Sequence, residues 1–232
     1  MKKYLILFNL LIINVAFSQV SFKVLNLKTI DHNKYLLKIS ISNESNKKLA
    51  VPLDIAWFKG YFSPDICPKF EDVEYPYLAP TLLIKDEKQQ YIEAKSVNLG
   101  YIDEKYIKND DDFSSKENEK RKLIDNWMKK ENINDYSKAM ANLYLINNII
   151  LMQPKQNFSY EIQLDISEIK YSKFSALHDK YSLEDNNNYN LSLAICIDKN
   201  VYDYLTVTQI KKLKKYNLFT GRVESNKVVI KY

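Results

Sequence analysis

The sequence predicts a mainly β protein, an antiparallel β-sandwich with a helical insertion around residues 114–145. Three observations carry this prediction. About nine short segments alternate apolar and polar residues with the period of two that strands require, and turn residues separate them. One long, highly charged stretch carries apolar residues at helical spacing instead. The first half shows none of the regular strand–helix alternation that a parallel βαβ sheet needs.

The N-terminus reads as a secretory leader. Met1-Lys2-Lys3 is positive, "YLILFNLLIINVAF" is almost wholly apolar, and Ala16-Phe17-Ser18 places small residues where a signal peptidase inspects them. The expected cleavage is between Ser18 and Gln19, and the apolar run is shorter than the ~20 residues a spanning helix needs. Residues 1–18 are thus expected to be a signal peptide and residues 19–232 a single β-sandwich domain, with the helical insertion at about 110–145. The mature chain is expected to be exported, periplasmic or secreted, with no stable membrane insertion after cleavage.

Loss of Lys2 and Lys3 takes the net charge from +5 to +3, a balance that does not call for a nucleic-acid partner. Of the 34 basic residues only Arg121 and Arg222 are arginine, the side chain best shaped to grip phosphate. The abundance of Lys, Asn, Ile and Tyr has the signature of an AT-rich coding sequence and points to a bacterial source. It also weakens any functional reading of the many tyrosines and lysines.

Taken in order, "VSFKVLNLKTI" and "KYLLKISISN" form a hairpin around Asp31-His32-Asn33, with Leu37, Ile39 and Ile41 on one face. "KLAVPLD" is a short strand, placed at an edge because Pro52 cannot donate to a ladder. Trp57 to Pro80 is a long connection rich in proline and aromatic residues, and loops of this length often carry function. "TLLIKDEKQQYIEA" is a second hairpin with Asp86-Glu87 near its turn.

Ser114-Ser115-Lys116-Glu117 fits a capping box, and Leu123, Ile124, Trp127 and Met128 form one stripe, predicting an amphipathic helix from Ser115 to Glu131. "DYSKAMANLYLIN" is a second, shorter helix running into a strand. Two strands follow around Gln153-Pro154-Lys155-Gln156, then an irregular or short helical link, "EIKYSKFSALHDKY". "YNLSLAICI" reads as a central strand, and "TVTQIKKLKKYN" as a short helix with Thr208 at its N-cap. In the closing "LFTGRVESNKVVIKY", Gly221 turns the chain out of that helix, and a bulge or bend near Ser225-Asn226 shifts the facing of a last strand.

The common catalytic constellations are not met, so no catalytic, metal or cofactor residue is assigned. His32 and His178 have no third ligand at useful spacing and read as solvated loop residues. The three glycines are too dispersed for a nucleophile elbow. Glu161, Asp165 and Glu168 are the neatest run of carboxylates, read as the solvent face of a strand and its turn. Asp110-Asp111-Asp112 lacks the glycine and ordered ligands of a calcium loop and suits a helix N-terminus.

Two features remain open. Trp57, Phe58, Tyr61, Phe62, Tyr75 and Tyr77 form either a platform for a sugar ring or a protein, or a cap on the core. Cys67 and Cys196 are either a long-range disulfide or two separate buried thiols.

The final third carries "IILMQPKQNFSYEIQLDIS", "YNLSLAICI" and "FTGRVESNKVVIKY". This succession, closing on Gly221, Val223, Ser225 and Asn226, resembles exported bacterial proteins with immunoglobulin-like sandwiches, most of them uncharacterised. The resemblance implies an immunoglobulin-like fold and export, and carries no active site. The leading expectation is an exported non-catalytic β-sandwich that binds a protein or envelope component. Its mark would be a contiguous exposed aromatic patch around Trp57 to Tyr77 with no cleft. The alternatives are a carbohydrate-active enzyme using paired carboxylates, and a secreted inhibitor or immunity factor.

Overall fold

The computed structural model describes residues 19–63, 67, 75–98, 110–172, 175 and 177–232, excluding the side chains of residues 110–114 and 116. The leader expected at residues 1–18 lies outside the described residues. The chain is mainly β, with antiparallel sheets and no barrel. Among the described residues no helix is long and apolar enough to cross a membrane.

The first sheet has the order β1-β2-β8, from Val20–Asp31, Lys34–Asn43 and Asn157–Asp165. Alternation puts Phe22, Val24, Leu37, Ile39, Ile41 and Leu164 into the core. A second sheet is built on β11 (Asn188–Ile197), the central strand expected from "YNLSLAICI". β4 (Thr81–Lys85) pairs along one side of it and hydrogen-bonds onward to β5 (Tyr91–Ile92). β13 (Gly221–Glu224) and β14 (Val228–Lys231) share the other side. Leu82, Ile84, Leu191, Leu193, Ile195 and Ile230 of this second sheet belong to the same continuous core as the first.

Two smaller sheets complete the fold. One joins β6 (Lys95–Asn98), β10 (Leu177–Lys180) and β9 (Ile169–Lys170). The other joins β12 (Asn217–Leu218), β3 (Leu49–Pro52) and β7 (Ile149–Met152), and its β12–β3 pair is parallel.

Several expectations are corrected. β3 is not an edge strand: it lies between β12 and β7 and is buried throughout. Pro52 is tolerated because Leu53 N–H takes the bond to Asn148 on the β7 side, so position 52 points its nitrogen the other way. There β12 pairs only with Leu49 and Ala50. "EIKYSKFSALHDKY" contains strands β9 and β10, so His178 is buried in a sheet and is not a solvated loop residue. His32 does sit in the exposed β1–β2 turn, 3.4 Å from Asp185. β7 and β8 flank their proline turn yet belong to different sheets.

The helical insertion consists of α1 (Asp110–Glu131) and α2 (Tyr136–Asn147). α1 begins five residues earlier than expected, so Ser114 and Ser115 lie inside the helix and do not cap it. Asp110, Asp111 and Asp112 form its first turn, and their side chains lie outside the description. Asp135 caps α2 by accepting Lys138 N–H. Ile124, Ile133, Ala139 and Leu143 make a small core between the two helices. Leu123 departs from the expected stripe and is 52% exposed.

Helix α3 (Val207–Leu213) is capped by Thr206, not Thr208, because Gln209 stands at the third position from Thr206 and completes a capping box. The same Gln209 meets buried Asn142 of α2 in a reciprocal amide pair, at 2.6 and 3.1 Å. Asn142 also accepts from Trp127 Nε1 at 2.9 Å and donates to Tyr204 O at 2.7 Å. All four amide bonding directions of Asn142 are thus used, one to join α2 to α1 and three to fix the insertion to Tyr204 and Gln209.

Gly221 has φ +100 and opens β13 after β12, so it kinks the chain between two strands and does not terminate the helix. Residues 225–227 then span only Ser192 and Leu193 of β11, one residue in excess, as in a bulge. Ser225 keeps the ladder satisfied, donating from its N–H to Leu193 O and accepting Leu193 N–H on its hydroxyl.

Candidate functional site

The candidate site forms around the chain that leaves β3. Asp54 is 3% exposed, and its carboxylate accepts Ala56 N–H at 2.9 Å and the Tyr144 hydroxyl of α2 at 2.9 Å. These bonds make a tight side-chain turn that presents Trp57. Burial raises the Asp54 pKa above its ordinary value, opposed by the hydrogen bonds from Ala56, Tyr144 and Trp57. Burial also raises the Tyr144 hydroxyl, and the nearby Asp54 charge adds to the effect.

Trp57 is half-buried and stands between two concavities, lining both. On one side is a groove of about 530 Å³. α2 contributes Met140, Leu143, Tyr144 and Asn147 to it, and α1 contributes Glu117, Lys120, Leu123 and Ile124. Tyr75 and Tyr171 close its other wall, their rings 5.1 Å apart edge to face. On the other side is a cleft of about 270 Å³, where Trp57, Phe58, Leu164 and Ile169 meet Lys34, Gln163, Asp165, Glu168 and Lys170.

The six aromatic residues singled out in the sequence are not gathered into one exposed platform. Trp57 and Tyr75 line the groove; Trp57 and Phe58 line the cleft. Phe58 is 4% exposed and part of the main core. Tyr61 is 6% exposed and packs against Leu83, Ala194 and Tyr91 in a separate cluster. Phe62 packs on the main core, and the Tyr77 carbonyl accepts from the buried Lys59 ammonium at 2.6 Å. The aromatic stretch therefore divides, because the bridge between Lys59 and Thr81 draws its first half alongside β4.

A second buried network supports the loop from below. Asp179 of β10 is fully buried and accepts Gly60 N–H at 2.9 Å, Ser96 Oγ at 2.9 Å and the Tyr171 hydroxyl at 2.6 Å. Gly60 permits this approach: a Cβ there would stand 2.5 Å from Ala94 Cβ and 2.8 Å from Asp179 Oδ2.

The carboxylates Asp165 and Glu168 come from one turn and share a wall of the cleft. Asp165 accepts Ser167 N–H and faces Lys34 at 3.9 Å, and Glu168 faces Lys170 at 3.5 Å. Glu161, on β8, does not line the cleft. Among the described residues no group of three or more His, Cys, Asp or Glu is placed to hold a metal ion.

Cys67 and Cys196 form a disulfide with Cα atoms 5.3 Å apart, joining the aromatic loop to the central strand β11.

The sequence reading missed Asp54, Leu123, Tyr144 and Tyr171. One signal was available: Met140, Leu143, Tyr144 and Asn147 fall at i, i+3, i+4 and i+7, a stripe that lines one concavity. Compared with known proteins, the chain matches no family model, no curated sequence and no solved structure.

Proposed function

We propose that this chain is an exported, non-catalytic binding protein built on an immunoglobulin-like β-sandwich, and that its site is the pair of concavities divided by Trp57. The observation that carries the reading is the Trp57 side chain itself. A large aromatic held half-exposed by a buried carboxylate, with an apolar groove on one side and a polar cleft on the other, is the form of a recognition anchor. Leu123, 52% exposed, adds apolar surface on the rim of the same groove. Two antiparallel sheets sharing one core support the sandwich. The leader pattern in the sequence supports export, and a disulfide fits an oxidising compartment. The partner is a protein or an envelope component. Catalysis through paired carboxylates receives no comparable support, since Asp165 and Glu168 sit on one wall and each has a cationic neighbour.

The test has two readouts in cells expressing the full chain. Mass spectrometry of the exported fraction is expected to find a mature protein beginning at Gln19. A photoreactive residue at position 123 is expected to capture one defined species, while the same residue at position 87, in the β4–β5 turn, captures none. Retention in the cytoplasm, or equal labelling from both positions, overturns the proposal.

A further inference from the structure

The first sheet has two outer strands, and they are treated differently. β1 is interrupted by a register shift between Val24 and Asn26. At that point the Asn226 side chain imitates a neighbouring strand, accepting Val24 N–H at 2.9 Å and donating to Val24 O at 3.1 Å. Bulges and covered main-chain groups are the usual protection of a sheet edge. β8 has neither: its pairing with β2 runs unbroken from Asn157 to Asp165, and among the described residues no other strand pairs with it.

The register tells which groups that edge presents. Asn43 N–H bonds Gln156 O, and Ile166 N–H bonds Asn33 O, so the even-numbered residues of β8 exchange bonds with β2. The N–H and C=O groups of Ser159, Glu161 and Gln163 therefore point away from the sheet, as do those of Asp165, whose C=O is already taken by Glu168 N–H at 3.3 Å. The first three residues are exposed, and the last two also line the cleft against Trp57.

We propose that the edge of β8 left unpaired among the described residues, from Ser159 to Gln163, takes an extended polypeptide segment of a partner protein as an added strand, with one large apolar side chain of that segment seated in the cleft beside Trp57. This rests on reading the concavities around Trp57 as the binding site and names how a protein partner is recognised there. A row of donors and acceptors repeating every second residue, ~6.8 Å apart, is matched by another strand and not by a sugar or a nucleotide. The apolar wall of Trp57, Phe58, Leu164 and Ile169 supplies the side-chain pocket at the end of the row. A second copy of this chain is disfavoured as the occupant. β8 carries Glu161 and Asp165 and no cation, so antiparallel β8–β8 pairing sets like charges directly opposite in the registers centred on Glu161 or on Gln163, and diagonally in the register between them.

The experiment selects random 12-residue displayed peptides on the mature chain, residues 19–232, and follows amide hydrogen exchange on binding. Selected peptides are expected to slow exchange at Ser159, Glu161 and Gln163 by at least tenfold. Gln163→Pro removes an outward N–H and no β8–β2 bond. It is expected to weaken the peptides at least tenfold with its cooperative melt retained. If that variant fails to fold, the exchange arm stands without it. Peptides that bind with no slowing at these amides overturn strand addition; if Trp57→Ala still abolishes their binding, the reading of the Trp57 site survives. Failure to enrich any peptide overturns both. Slowing at the same amides with rising concentration of the protein alone makes a second copy the occupant and overturns the partner.

Discussion

The Tyr144 hydroxyl donates a 2.9 Å hydrogen bond to Asp54 Oδ2, tying helix α2 to the turn that presents Trp57. The helical insertion and the aromatic loop are thus joined through a buried carboxylate, and that carboxylate has a pH signature. Burial raises its pKa in the folded state, so its contribution to stability is fully present below the unfolded value, ~3.9, and is lost as pH rises through the folded value. Asp54→Asn removes this dependence. Thermal melts are expected to show the variant gaining on the parent protein between pH 4 and pH 7. A constant difference across that range would show that Asp54 ionises freely.

Gly60 is required by space. A methyl group at this position meets Ala94 Cβ at 2.5 Å and Asp179 Oδ2 at 2.8 Å, and both neighbours are buried. Gly60→Ala is expected to cost about 1–3 kcal/mol in denaturant unfolding, the usual penalty for overpacking. Gly221→Ala meets no neighbour within 4 Å, so any cost there comes from its φ of +100 alone.

The disulfide closes a loop of sequence separation 129. A crosslink over so long a loop restricts the unfolded chain strongly, and its loss typically costs about 2–5 kcal/mol. Cys67→Ser with Cys196→Ser is expected to lower the denaturation midpoint accordingly, and dithiothreitol to do the same to the parent protein. Equal midpoints in all three would show that the bridge contributes nothing to the fold.

Truncation after Asn226 removes β14, whose Ile230 is 1% exposed in the main core. It also removes the Tyr232 carbonyl that accepts Asn186 N–H at 2.6 Å, and the ring that lies 4.4 Å from His32. Loss of four ladder residues along β11 and of a buried isoleucine, itself worth roughly 1.5–3 kcal/mol, is expected to abolish cooperative folding. A soluble product with a sharp melt would show the strand to be dispensable.

What could be read directly from the residues was local. Alternation marked β1, β2, β8 and β11 because each buries one face, or both, with a period of two. The charge-rich, 3.6-period stretch marked the helical insertion. Two of the errors arose where a local rule met a tertiary partner, and one within the local rule itself. Pro52 looked like an edge residue, but β12 ends before its missing donor matters. His178 looked solvated, but β6 and β9 bury it. Thr208 looked like a cap, but Gln209 completes the box from Thr206.

The sequence by itself determined the mainly β character, the position of the helical insertion, the central strand and the interruption at Ser225-Asn226, because these follow from side-chain periodicity and turn chemistry within a few residues. Only the tertiary structure decided the site. It separated six neighbouring aromatic residues into core and surface, brought Tyr144 to Asp54 across 90 positions, and set Trp57 between two concavities. It also set Asn226 against one edge of the first sheet at Val24 and left the other edge without a paired strand among the described residues. Those outcomes depend on which distant segments compete for the same space and the same hydrogen bonds, and no local pattern encodes that competition.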